Sequence, residues 1–148
     1  MLDLEKLITI GQTAVISKKV QRSDTVGNHS EGLNDLLATP ICVDMVIKAS
    51  VEAVNKQLPE GYITVGQSVA FTHDYPTELG MTVNVKATLK EIHGSHLLFD
   101  IVAWDELGDV GHGKHERVVV DREGIRKKAK ARNQSFVGKQ SFGMYEKI

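Results

Sequence analysis

The chain has 148 residues, of which 41% are hydrophobic and 25% charged, with a formal net charge of −1. This is the size and balance of one soluble globular domain, with no global field to draw nucleic acid or an anionic membrane. Apolar runs such as residues 97–99 are too short to span a bilayer, and the single cysteine, Cys42, cannot form an internal disulfide and fits a reducing compartment.

The opening Met1-Leu2-Asp3-Leu4-Glu5-Lys6 has no basic stretch leading into a hydrophobic one, so no signal peptide is expected and the chain reads as cytoplasmic. Residues 13–20 mix β-branched and polar side chains and predict a first strand. Residues 23–31 are rich in Ser, Asp, Thr, Gly and Asn and predict a loop. Leu33, Leu36 and Leu37 then recur at helical spacing, which suggests a short amphipathic turn or a lid. Thr39 followed by Pro40 marks a helix start. That helix is predicted over residues 41–57, apolar on several sides (Val43, Met45, Val46, Ile47, Ala49, Val51, Val54) and so largely wrapped by other structure.

From 62 to 121 the sequence alternates and turns like an antiparallel sheet. Four strands are predicted, at 62–75, 81–93, 97–104 and 110–120, broken by turn residues at 76–80, 94–95 and 105–109. A single helix cannot cover both faces of such a sheet. Wrapping the sheet round the helix, and covering its exposed edge by dimerisation, resolves this. The expected architecture is therefore α+β, a hot-dog domain over residues 1–132. Arg126, Lys127, Lys128, Lys130 and Arg132 give the end of that span a basic, helix-prone character, and 133–148 reads as a polar tail.

Two residues stand out chemically. Val69, Phe71 and His73 share a strand face by alternation, which sets an imidazole on an apolar surface directed at the helix. Such a histidine is either a hydrogen-bonded core residue or a base working near neutral pH. Thr39 is either a helix cap or a hydroxyl beside free amides, able to hold the carbonyl oxygen of a thioester. His112 and His115, three apart, point to opposite strand faces and cannot share a metal. No HExxH, cysteine pair or carboxylate cluster is present, so neither a metal nor a cofactor is expected.

Several motifs then resemble one family. Leu37-Ala38-Thr39-Pro40 before the long helix, with Thr25-Val26 fourteen residues earlier, is similar to the helix start and loop of the fluoroacetyl-CoA thioesterase-like family of hot-dog proteins. Thr72-His73 resembles its strand histidine, Leu79-Gly80-Met81-Thr82-Val83 its Leu-Gly-x-Thr-Val segment, and Gly113-Lys114-His115-Glu116-Arg117 its Gly-x-His-Glu-Arg strand. The likeness runs from about Ser23 to Lys130. It implies an acyl-CoA thioesterase whose site combines a threonine, a helix glutamate and a histidine. Thr39 and His73 fit the first and last. The glutamate position, eight residues after Thr39, holds Ile47, and Asp44, three residues earlier, is the nearest candidate to replace it.

In the family the acidic residue would be the nucleophile or the activator of water; with Ile47 in its place, the expectation for this chain is that His73 activates water while Thr39 and the helix amides hold the thioester oxygen. Leu33, Leu36, Pro40 and Ile47 would line the acyl site, and Arg117 would position the substrate or a dimer partner, or form a structural strand pair. The partners implied are a small to medium acyl-CoA and a second copy of the chain, or more than one, with no nucleic acid and no membrane. The basic segment 126–132 is either a solvated helix or a contact for the nucleotide phosphates. Two alternatives remain: a hot-dog enoyl-CoA hydratase using Asp24 and His29, whose spacing fits that class without its Asn-Pro, and a domain that binds acyl-CoA without turnover.

Overall fold

The computed structural model describes residues 2–141 of the chain. One antiparallel five-stranded sheet is built from β1 (Thr13–Lys19), β2 (Tyr62–His73), β3 (Thr82–His93), β4 (His96–Asp105) and β5 (Gly108–Asp121), in the spatial order β1-β3-β4-β5-β2. The helix α1 (Thr39–Val54) packs on its inner face, and a second helix, α2 (Arg122–Ser141), follows β5. This is the α+β hot-dog arrangement. Among the described residues no helix is long and apolar enough to cross a membrane.

The core follows from two periodicities. On α1, Cys42, Met45, Val46, Ala49, Ser50, Ala53 and Val54 are buried, the three-and-four spacing of one helix face. On the sheet, Val83, Val85, Ala87 and Leu89 of β3 and Leu97, Phe99, Ile101 and Ala103 of β4 alternate inward at a period of two. Small residues on the helix let it sit close to the sheet, and the Ser50 hydroxyl is satisfied by the Val46 carbonyl at 2.8 Å.

The α1 surface is less enclosed than its composition suggests. Asp44, Ile47, Lys48 and Glu52 are exposed, so the helix is wrapped on one side only. It begins two residues before the predicted start, and its predicted last turn is a separate 3-10 turn, Asn55–Gln57. Leu33, Leu36 and Leu37 do not form the helical turn that their spacing suggests. Residues 36 and 37 are extended: Leu36 bridges to Glu78, Leu37 bridges to Thr25, and the Leu37 N–H donates to the Thr77 carbonyl. These tertiary hydrogen bonds outweigh a periodicity of three residues, too short to nucleate a helix alone.

Residue 67 is a β-bulge: β5 pairs continuously while β2 steps from Gly66 to Ser68. The extra residue shifts the alternation. Consequently Thr64 above the bulge and Val69, Phe71 and His73 below it share the inner face. At the C-terminus α2 runs on past 132 to Ser141, while 142–148 of the expected tail lie outside the described residues.

Candidate active site

Thr39 is the first residue of α1, and Ala38 occupies the cap position with no side-chain cap. The Thr39 hydroxyl is therefore not spent on the helix. It lies 2.8 Å from His73 Nδ1, joining the start of α1 to the last residue of β2. Pro40 at the second helical position has no N–H, and the Ile41 N–H donates to the Ala38 carbonyl at 3.1 Å.

The two nitrogens of His73 differ in environment. Nδ1 meets Thr39, whereas Nε2 is buried and has no hydrogen-bond partner among the described residues. The ring sits 6.2 Å from that of Phe71, tilted by 54°. Burial pushes the imidazole pKa below its ordinary 6.5, and the Tyr75 backbone and the Asp74 charge oppose this without reversing it. A neutral imidazole with one nitrogen facing a hydroxyl is equipped to take a proton.

The remaining candidates are distributed unevenly around this pair. Ile47 lies two turns along α1 from Thr39 on the open side of the helix, 37% exposed. Asp44 is also on the open side, where its carboxylate pairs with Lys48 at 2.8 Å; among the described residues no hydrogen bond or ion pair joins it to Thr39 or His73. Pro40 and Leu33 are exposed and Leu36 is half-buried.

Arg117 lies inside, 5% exposed. Its guanidinium donates to Thr64 Oγ1 at 2.9 Å and to the Thr64 carbonyl at 2.8 Å, and lies 3.1 Å from His115 Nε2. His115 in turn donates from Nδ1 to the Ser68 carbonyl at 2.8 Å, which leaves Nε2 to accept from Arg117. Burial lowers the His115 pKa, as the neutral ring in this chain requires. The sequence pattern singled out Arg117 but gave no sign that its partners would be Thr64 on the facing strand and His115 two residues away on its own. Gly66 lies against Arg117 and His115, where a Cβ would meet the Arg117 guanidinium at 3.4 Å, an ordinary van der Waals contact.

The hydratase pair is not assembled. Asp24 is buried, its Oδ2 accepts from the Gln21 N–H at 2.9 Å, and its Oδ1 lies 3.4 Å from Lys18. His29 is exposed beyond the turn that follows. The Asp24 carboxylate has a structural task that explains its presence.

The sequence profile of the family described as FlK, fluoroacetyl-CoA-specific thioesterase, matches residues 20–123. Over 89 residues the chain is 33% identical to the fluoroacetyl-CoA thioesterase of Streptantibioticus cattleyicolor, a match spanning 60% of this chain and 64%, just under two thirds, of that relative. Its fold superposes with a TM-score of 0.83 on a hot-dog-like protein from Thermanaerovibrio acidaminovorans, 30% identical, covering 88% of this chain and 97% of the other. A variant of FlK crystallised with fluoroacetate and CoA superposes with a TM-score of 0.74 at 28% identity, covering 80% and 99% of the two chains. On these grounds the chain belongs to the fluoroacetyl-CoA-specific thioesterase family of hot-dog proteins.

Proposed function

We propose that the protein is a cytoplasmic acyl-CoA thioesterase that hydrolyses a small to medium acyl-CoA at Thr39 and His73, and that it works as a homodimer. The observation that carries this reading is the 2.8 Å contact between an uncapped helix-start hydroxyl and a half-buried imidazole, at the two positions where the family resemblance implies catalytic groups.

The chemistry follows from the ring environment. With its proton on Nε2, His73 presents Nδ1 as the basic nitrogen toward Thr39. Water enters beside Nδ1, gives up a proton to it, and its oxygen attacks the thioester carbonyl carbon. The Thr39 hydroxyl turns from Nδ1 to the developing oxyanion, an interaction made most strongly in the transition state. Collapse of the tetrahedral intermediate breaks the C–S bond, and His73 returns the proton to the departing thiolate. The products are the free acid and CoA. Pro40 and the committed Ile41 amide make the hydroxyl, more than the helix N–H groups, the donor for the oxyanion. Cys42 takes no part, since burial raises its thiol to about 11.

Leu33, Leu36, Pro40 and Ile47 supply the apolar wall for the acyl group, and dimerisation along the free edge of β2 closes it. Arg117 serves this site from behind, by holding the bulge that aims the lower half of β2. Asp44, tied to Lys48, gives no help to water activation.

The test is thiol release over acyl-CoA chain lengths by the wild-type protein and His73→Ala. Loss of about a hundredfold or more in kcat/KM is the expected result for removing a general base. Unchanged hydrolysis by the variant would sink the assignment. Saturable CoA binding with no thiol release from any substrate would favour the binding-protein alternative, for which the apolar Ile47 is the specific observation.

A further inference from the structure

We propose that α2 holds the phosphate groups of the CoA substrate, and that it does so for the reaction site of the other subunit. The proposal rests on the thioesterase and homodimer reading above. Residues 122–138 carry six Lys and Arg against Glu123 alone, a net of +5 in a chain of net −1, so the remainder carries −6. CoA brings a diphosphate and a 3′-phosphate, groups that Lys and Arg pair with strongly. Against the rest of the surface such a ligand meets net repulsion, and α2 is the element that offsets it.

The cations are available for this. Among the described residues Arg126, Lys127, Lys128, Lys130 and Arg132 form no ion pair. Arg126 and Lys130 are four apart and share a face, with Lys127 beside them. Lys128 turns the other way, into a groove of about 240 Å³ with Val120, Asp121, Gly124 and Ile125 that seats the first turns of the helix on the end of β5. Nearly all of α2 lies beyond residues 20–123, so this is a feature of this chain's own C-terminal element and not of the family profile.

Topology decides which site it serves. In the β2–β5 ladder His73 pairs with Gly111 at one end and Tyr62 with Asp121 at the other, and α2 starts at Arg122. The length of β2 separates the two ends by roughly 35 Å at strand rise, farther than a pantetheine arm with its diphosphate extends. The α2 of one chain therefore starts out of reach of that chain's own thioester. Where two β2 edges join antiparallel about Ser68, the Tyr62 end of one strand lies beside the His73 end of the other. The root of the partner's α2 then comes next to Thr39 and His73.

The experiment uses the full chain with Arg126→Gln, Lys127→Gln and Lys130→Gln combined, glutamine being a good helix former. Hydrolysis of an acyl-CoA is compared with that of the same acyl group on N-acetylcysteamine, which carries no phosphate. The expected result is a KM for acyl-CoA raised on the order of tenfold with the KM for the phosphate-free thioester unmoved. Equal effects on both, or an unchanged KM for acyl-CoA, would overturn the proposal, as would weakened retention on heparin alone, which points to a larger polyanion. Mixed dimers of the triple variant with His73→Ala contain one site with an intact His73 and an intact α2 across the seam. Wild-type KM for acyl-CoA in that mixture supports service across the dimer, and a raised KM overturns it. Should the wild-type protein release no thiol from either thioester, the thioesterase reading fails on its own. Titration with CoA then decides the phosphate contact: tenfold weaker binding by the triple variant supports it, and equal binding overturns it.

Discussion

The His73 ring carries one nitrogen that faces the Thr39 hydroxyl and one that is buried without a hydrogen-bond partner among the described residues, an asymmetry that the proposed base catalysis would use. Base catalysis needs the neutral ring, so activity is full above the folded-state pKa and falls as the pH drops through it. Burial sets that pKa below 6.5, so the acid limb of kcat/KM is expected below 6.5, with a midpoint that rises in Thr39→Val if the hydroxyl donates to the neutral ring. A midpoint above 6.5 would mean that a different group controls the limb. Ile47 offers a second test. Two turns beyond Thr39 on the exposed side of α1, it is where a carboxylate could supply a second base, and Ile47→Glu is expected to raise kcat by about tenfold or more. A kcat left flat, with the fold intact by circular dichroism, would place residue 47 away from the reacting groups. At this scale the sequence singles out the two side chains that meet, Thr39 and His73, because each sits at an unusual place, a hydroxyl before proline and an imidazole on an apolar strand face. The Arg117–His115–Ser68 chain was not readable in this way, since its partners are a backbone carbonyl and a threonine brought together by a bulge that no local pattern announces.

Elements, more than single residues, aim the site. β2 delivers His73 only because β5 approaches closely, and two glycines permit the approach. A Cβ on Gly113 would lie 2.0 Å from the Ala70 carbonyl oxygen, and one on Gly111 would lie 2.5 Å from that of Thr72. Both contacts are with backbone, which cannot swing aside. Gly113→Ala is therefore expected to cost about 2–4 kcal/mol of stability, read as a lowered urea midpoint, and to lower kcat/KM by displacing the strand end that carries His73. A variant with wild-type midpoint and activity would show that the ladder yields without cost. The order of elements was legible because alternation over ten or more residues is a strong signal and the turns at Gly94 and Gly108 punctuate it. The Leu33, Leu36 and Leu37 segment misled for the opposite reason. Three leucines fit a helix as well as a loop, and the choice was made by bonds to Glu78, Thr25 and Thr77, which lie far off in sequence or in another segment.

For the molecule as a whole the two edges of the sheet set how it assembles. β1 and β2 both end it, but they are not alike. Residues 66–70 of β2 are exposed throughout, and Val69, on the inner face that also carries His73, keeps 38% of its surface in solvent. An exposed apolar strand edge invites pairing, and the two-fold partner most readily available is the same edge of a second copy. Near such an axis a new charge meets its own image. Val69→Glu is thus expected to halve the mass seen by analytical ultracentrifugation, from twice 16.3 kDa to 16.3 kDa, and to remove hydrolysis with it. The acyl wall of Leu33, Pro40 and Ile47, exposed in the single chain, would remain open in that monomer, so activity and mass should fall together as protein is diluted. A wild-type protein that sediments as a monomer and still hydrolyses acyl-CoA would separate the two, and would require one chain to enclose the acyl group by itself.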